Sequence, residues 1–186
     1  MTRTGPRVLL DMAISLDGCV AGTDRQDPGL YDWYFDPPAP SVPIVTELVA
    51  DTGAIVIGRG AYGGDGDGGW DDTPYRVPHV VITHRAPRPR PGPVEFLFAS
   101  GLAQALDLAG PAAGTRWVTV GGGADIARQF LAAGLVDELQ LHLVPIVVGD
   151  GVRLFDGPTG AHRFEVVRVV ESIGVTHLRY RLRRPG

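Results

Sequence analysis

The sequence predicts an α/β fold: a mainly parallel central sheet with helices on both faces and a C-terminal antiparallel hairpin. Three observations predict it. Apolar, β-branched runs of strand length alternate with segments of helical periodicity, a pattern that calls for right-handed crossovers between parallel strands. Two of these runs end in glycine-rich turns, at Gly58 and at Gly121. The chain then closes on two long alternating stretches separated by Ile173-Gly174, which read as an antiparallel pair.

Taken in order, residues 7–14 (RVLLDMAI) read as the first strand. Residues 41–52 carry Val42, Val45 and Val49 at helical spacing, with Ser41 as the N-cap. Residues 54–57 (AIVI) form an unbroken run, the mark of a strand buried on both faces, and 79–83 (HVVIT) and 94–98 (VEFLF) repeat it. Beyond Ser100, a possible cap, Leu102, Leu106 and Ala109 share one helical face until Gly110-Pro111 stops it. A strand at 116–120 (RWVTV), a helix at 124–133 and a strand at 136–144 follow, the last placing Leu139, Leu141 and Leu143 on one face. Residues 163–170 and 175–182 make the final hairpin. The glycine-rich 63–69 and proline-rich 87–93 read as surface loops too short to link domains, so residues 1–186 are expected to form one domain.

A chain of 186 residues can bury one sizeable core, and 44% hydrophobic with 20% charged residues is ordinary for a soluble globular protein. A net charge of −4 leaves no basic stripe to release phosphate counterions, which argues against a nucleic-acid partner. The arginines of 85–90 and 179–184 read as solvated loop and tail. Cys19 is the only cysteine, so no intrachain disulfide can form. No secretory signal pattern is present, and no apolar run approaches the roughly 20 residues that span a bilayer, so no membrane partner and a cytoplasmic location are expected.

Two glycine-rich turns invite a chemical reading. Gly58-Arg59-Gly60-Ala61-Tyr62-Gly63 matches G-x-G-x-x-G, but that dinucleotide turn needs an apolar helix directly after it, and GDGDGGWDD cannot be one. Gly121-Gly122-Gly123 lies between RWVTV and ADIARQFLAAG. Three glycines let backbone approach a ligand, and N–H groups at the helix start favour an anion such as a pyrophosphate. A tight strand–helix turn without a ligand would carry the same signature. Ile126 and Phe130 face the core, and Asp125 suits the helix dipole with no further role. Asp65-x-Asp67 fails as a calcium loop, since Trp70 and Arg76 stand where Gly and a bidentate Glu are required. The five histidines show no metal-ligand spacing, and a strand histidine such as His142 reads as structural. There is no G-x-S-x-G elbow, and Cys19 has no activating partner in the sequence.

These motifs carry a family resemblance. Ser15-Leu16-Asp17-Gly18 after the first strand, Ile57-Gly58-Arg59, Val80 through Arg85, Val120 through Ile126, and Val136-Asp137-Glu138-Leu139 through Pro145, Gly149, Gly151 and Phe155 occur in order. Together they resemble dihydrofolate-reductase-like proteins, closest to the reductase domain of riboflavin biosynthesis. The resemblance implies NADP(H) lying across the carboxyl ends of the strands. Arg59, Thr83, His84 and Arg85 would hold the adenosine 2′-phosphate, with Gly58 in the turn that presents Arg59. Gly121, Gly122, Gly123, Ala124, Asp125 and Ile126 would cradle the pyrophosphate, and backbone at Ala13 and Val20 would meet the nicotinamide carboxamide. It also implies a small-molecule substrate and pairing into a homodimer.

Two departures limit the resemblance. Counting back from Gly58, the carboxylate that dihydrofolate reductases carry on the first helix would fall near Val42, where no acid stands; an insertion, LYDWYFDPPAP, intervenes. Asp32 in that insertion is the candidate pocket acid. The riboflavin-type reductases also carry an early lysine, and this chain has none. The expected activity is NADPH-dependent reduction of a pteridine-, pyrimidine- or flavin-related molecule; the alternative is a nucleotide- or flavin-binding module without turnover.

Overall fold

The computed structural model describes residues 5–63, 73–85, 92–157 and 159–184. Eight strands form the main sheet: β1 (Val8–Ser15), β3 (Thr52–Gly58), β4 (His79–Ile82), β5 (Phe96–Ala99), β6 (Trp117–Val120), β7 (Glu138–Val144), β9 (Arg163–Ser172) and β10 (Val175–Arg183). Their order is β5-β4-β3-β6-β1-β7-β10-β9. The first six are mutually parallel, and β10 and β9 add the antiparallel hairpin. Two short strands, β2 (Cys19–Gly22) and β8 (Gly151–Arg153), pair separately beside the sheet. Four helices complete the fold: α1 (Asp32–Phe35), α2 (Val42–Asp51), α3 (Leu102–Ala113) and α4 (Ala124–Ala132).

Burial follows the expected strand chemistry. Every residue of β3, β4 and β6 is buried, as β-branched runs in a two-sided sheet require. On one face, Val8, Leu10, Val56, Val80 and Val118 pack against Ala105 and Ala109 of α3 and Ile126 and Phe130 of α4. On the other, Leu9 and Trp117 pack against Ile44 and Leu48 of α2. Helices on both faces and the terminal hairpin were legible in the sequence.

Several local expectations need correction. The helix α3 does not stop at Gly110-Pro111 but runs on to Ala113, with Pro111 inside its last turn. Gly114 ends it instead: its φ of 60° belongs to the left-handed region, and its N–H reaches the Gly110 carbonyl. Gly101, not Ser100, is the N-cap, while the Ser100 hydroxyl meets the Gln104 side chain. Ser41 does occupy the N-cap of α2, but its hydroxyl makes no capping bond and turns into the protein. Of the 179–184 arginines, Arg181, Arg183 and Arg184 are exposed as expected, but Arg179 is not. Arg179 is buried on β10, donates to Glu138 and Gln140, and lies over the Trp117 ring. Leu139 and Leu141 are covered by the core, so the large apolar side chains that the sheet strands leave exposed belong to β9: Val166, Val167 and Val169. Asp65, Asp67 and Trp70, and most of 87–93, lie outside the described residues.

The S-L-D-G segment is a clasp. The Asp17 carboxylate accepts from the Ser15 hydroxyl (2.6 Å) and from the Val148 and Gly149 amides (3.1 and 2.9 Å). These bonds, led by Ser15, hold its carboxyl well below the usual range. The Cys19 amide in turn donates to the Ser15 hydroxyl. Cys19 itself is buried, and the turn fixes the wall of a cleft.

Candidate active site

Between β3 and β6 the chain connections diverge, β3 leading on to β4 on one side and β6 to α4 and β7 on the other. Such a switch point opens a crevice at the carboxyl ends of the strands. A cleft of about 1600 Å³ lies there. The Gly58 amide donates to the Gly122 carbonyl at 2.9 Å, locking the two turns side by side.

Backbone builds one end of the cleft. Gly122 adopts φ +146°, a conformation open to glycine and strained for other residues. A Cβ at Gly58 would sit 2.9 Å from Ile126 Cγ1, so that glycine lets α4 approach β3. Gly123 caps α4 with no side-chain bond to the helix start, and a Cβ there would meet nothing within 4 Å. The first N–H groups of α4 therefore have no side-chain cap, the arrangement that suits an anion. Arg59, His84 and Arg85 line the same end. Thr83 lines it too, but its hydroxyl donates to the Arg85 carbonyl and accepts from the Arg85 amide, so it shapes the loop. The Asp125 carboxylate is exposed and paired with Arg128.

Of the thirteen expected cofactor positions, the cleft gathers Val20, Gly58, Arg59, Thr83, His84, Arg85, Gly121, Gly122, Gly123, Ala124, Asp125 and Ile126. Ala13 is buried beneath the neighbouring Leu30 and Trp33 and is not in its lining. Asp32, the candidate acid, is exposed on α1 and does not line the cleft. Three carboxylates do line it: Asp27 and Asp125, both exposed, and Asp11, on β1.

Side chains build this second end, and the sequence reading missed most of them. Asp11 Oδ1 lies 2.9 Å from His142 Nε2; their side chains are 17% and 2% exposed. His142 Nδ1 lies 2.7 Å from His177 Nδ1, and His177 Nε2 lies 2.9 Å from the Ser41 hydroxyl, which reaches Ser172 at 2.8 Å. His142 is thus not an isolated structural histidine, because β10 places His177 directly opposite it in the ladder. The Trp33 indole covers both rings, its centroid 4.4 Å from His142 and 4.9 Å from His177, and its own N–H is fixed on the Leu30 carbonyl. Tyr31, Tyr34 and Tyr75 complete the wall. Burial, reinforced by the Asp11 charge, raises all three phenols, so they stay neutral. One signal was available. Residues 138, 140 and 142 are polar at alternate positions of a strand expected to be central, and Asp11 is the one charged residue of β1.

The RibD C-terminal domain model matches residues 6–178. The chain belongs to this family. Among solved structures it is similar to a putative riboflavin biosynthesis protein from Shewanella sp. PV-4, at 24% identity and TM-score 0.71, covering 96% of this chain and 99% of that one. It is also similar to a deaminase/5-amino-6-(5-phosphoribosylamino)uracil reductase from Thermotoga maritima, at 18% identity and TM-score 0.66, covering 96% of this chain and 57% of that one. A riboflavin biosynthesis reductase of Saccharomyces cerevisiae matches at 18% identity and TM-score 0.60, covering 98% and 93%. No curated protein sequence matches significantly. At these identities the structures establish a shared fold; the RibD C-terminal family supports an oxidoreductase of the riboflavin-biosynthesis type. Among the described residues, no helix is long and apolar enough to cross a membrane.

Proposed function

We propose that this RibD C-terminal family member is an NADPH-dependent reductase of a flavin-precursor, pyrimidine or pteridine substrate, acting in the cytoplasm. The observation that carries this reading is the cleft itself, which joins a backbone anion cradle at one end to a carboxylate–imidazole pair at the other. The residues present fit the cofactor. The α4 N-terminus and the open space at Gly123 suit a pyrophosphate, and Arg59, His84 and Arg85 suit a 2′-phosphate. When bound, NADPH would supply the hydride. The chain's own residues would orient the substrate between Val20, Tyr31 and Tyr75, exclude water with Trp33, and hold a proton at Asp11. A carboxylate in the cleft favours turnover over a binding module without chemistry.

Calorimetric titration tests the cofactor. Two or three charge-assisted bonds at about 1.5–3 kcal/mol each predict that NADPH binds more tightly than NADH by one to several decades. The Arg59→Ala variant should narrow that gap, and equal affinities in the native protein would overturn the assignment.

The proposal includes a two-fold pair. The outermost strand β9 exposes Val166, Val167 and Val169, with Ile173 at the adjoining turn, and closed pairing is the commonest way to cover such an edge. Light scattering should give about twice 19.8 kDa; the mass of one chain would refute the pair.

A further inference from the structure

The chain of groups behind Asp11 leads from the cleft to the surface. Asp11 opens on the cleft, His142, His177 and Ser41 are buried, and Ser172 is half-buried beside the Ile173-Gly174 turn. Each step is a hydrogen bond of 2.7–2.9 Å. Asp11 Oδ2 has no hydrogen-bond partner among the described residues, so one oxygen of the carboxyl faces the chain and the other is free for a substrate. Resting on the reductase reading above, we infer that Asp11 is the proton donor of the reaction and that His142, His177, Ser41 and Ser172 form the relay that reloads it.

Counting protons shows why the chain conducts. Each imidazole, when neutral, has one N–H and one bare nitrogen, and each hydroxyl has one hydrogen. If Asp11 is protonated, it donates to His142 Nε2, His142 Nδ1–H donates to His177, His177 Nε2–H donates to Ser41, and Ser41 donates to Ser172. If Asp11 is ionised, every bond reverses: Ser172 donates to Ser41, Ser41 to His177 Nε2, His177 Nδ1–H to His142, and His142 Nε2–H to Asp11. Both arrangements satisfy every member, and they differ by one proton. Moving between them takes a proton in at Ser172 and sets one on Asp11, with neither histidine left charged.

The surroundings favour a relay over a store. Burial, with help from His142 and Arg168 and against the pull of Asp11, pushes the His177 imidazole down to about 4. Arg168 is bound to Glu47 (2.6 Å), so its charge stays fixed beside the relay. Of the other titratable groups around Asp11, Tyr31, Tyr34 and Tyr75 remain neutral, and Arg25 and Asp27 are exposed in the cleft lining. Trp33 covers the two rings, which keeps water from short-circuiting the path.

The step balances. The Asp11 O–H bond breaks, and an N–H or O–H bond forms at the heteroatom of the substrate C=N or C=O whose carbon receives the hydride of NADPH. The substrate is reduced, the nicotinamide is left oxidised, and the carboxylate regains its proton through Ser172.

Isotope-labelled histidine and aspartate NMR on the full chain tests the relay without a substrate. His177 should exchange its Nδ1–H tautomer for the Nε2–H tautomer as pH falls, with the same midpoint as the Asp11 carboxyl, and Ser41→Ala should uncouple the two. A His177 that keeps one tautomer throughout, or titrates apart from Asp11, overturns the relay. Turnover tests the delivery. With NADPH and a panel of flavin, pterin and pyrimidine acceptors, Asp11→Asn should lower kcat at least about a hundredfold, the usual scale of general acid catalysis. Its affinity for NADPH should be unchanged, and Ser41→Ala should shift the pH profile of kcat while leaving KM alone. An Asp11→Asn protein with native kcat refutes the donor role. NADPH that fails to bind the native protein refutes the reductase reading and leaves the coupled titration standing.

Discussion

The two ends of the cleft are made from different materials. At the α4 end the working groups are peptide N–H groups, shaped by Gly58, Gly122 and Gly123 and fixed by one bond between neighbouring turns. At the β1 end they are side chains from β1, β7, β10, α2 and the last residue of β9, brought together by sheet register and by one helix lid. A backbone site depends on local conformation, so a few adjacent residues specify it. A side-chain site depends on pairings far apart in the chain, 131 residues for Asp11 with His142 and 136 for Ser41 with His177.

The largest effect expected from that contrast is at Gly123. A Cβ there meets no protein atom within 4 Å, so Gly123→Val should move stability by no more than about 0.5 kcal/mol, as for a benign surface change. The side chain would fill the cradle and cost two charge-assisted bonds, about a thousandfold in NADPH affinity. Gly122→Val is the poorer probe, since its φ of +146° makes loss of binding inseparable from strain. Normal binding by a stable Gly123→Val protein would place the anion elsewhere.

The side-chain end should show itself in acid. The His177 imidazole is held down to about 4 from its ordinary 6.5, so between these values the unfolded chain binds more protons than the folded one. Stability is then full above pH 6.5 and falls as pH drops toward 4, by up to about 3 kcal/mol. Asp17, whose carboxyl is depressed from 3.8, adds stability above that value and loses it below. Urea denaturation at a series of pH values checks the order, and His177→Gln should flatten the upper window while leaving the lower one. An unchanged upper window would mean that the histidine pair is solvated.

Smallest of the three is Arg85→Ala. Arg85 is exposed and shares its task with Arg59 and His84, so its removal should weaken NADPH by about tenfold, the scale of one partly solvated charge-assisted bond, and leave NADH unaffected. Equal losses for both cofactors would move Arg85 from the 2′-phosphate to the pyrophosphate.

What could be read in the sequence tracks the same division. The sheet, its burial and its terminal hairpin follow from periodicity, and the anion cradle follows from three glycines between a strand and a helix. Asp32 sits in an insertion near the place where the resemblance implies an acid, yet it is exposed while its neighbours Tyr31, Trp33 and Tyr34 line the cleft. Asp11 was overlooked as part of a buried strand, and Ser41 was assigned to its helix cap when its hydroxyl serves His177 and Ser172. The pairing of His142 with His177 depends on β10 folding back against β7, which no local pattern of either segment announces. Pro111 misled in the other direction: it is tolerated in the last turn of α3, and Gly114 is the true stop.

The position of Trp33 has an optical consequence. An excited indole gives up an electron readily to an imidazolium and poorly to a neutral imidazole, and Trp33 touches the two rings of the buried chain at 4.4 and 4.9 Å. Its emission lifetime therefore reads the charge carried by His177, the ring whose imidazole is held down to about 4. The other indole described, Trp117, packs against Leu9, Ile44 and Leu48 and lies under Arg7, and a Trp33→Phe protein supplies the background to subtract. The molecule carries its own proton gauge, legible in real time and without a label.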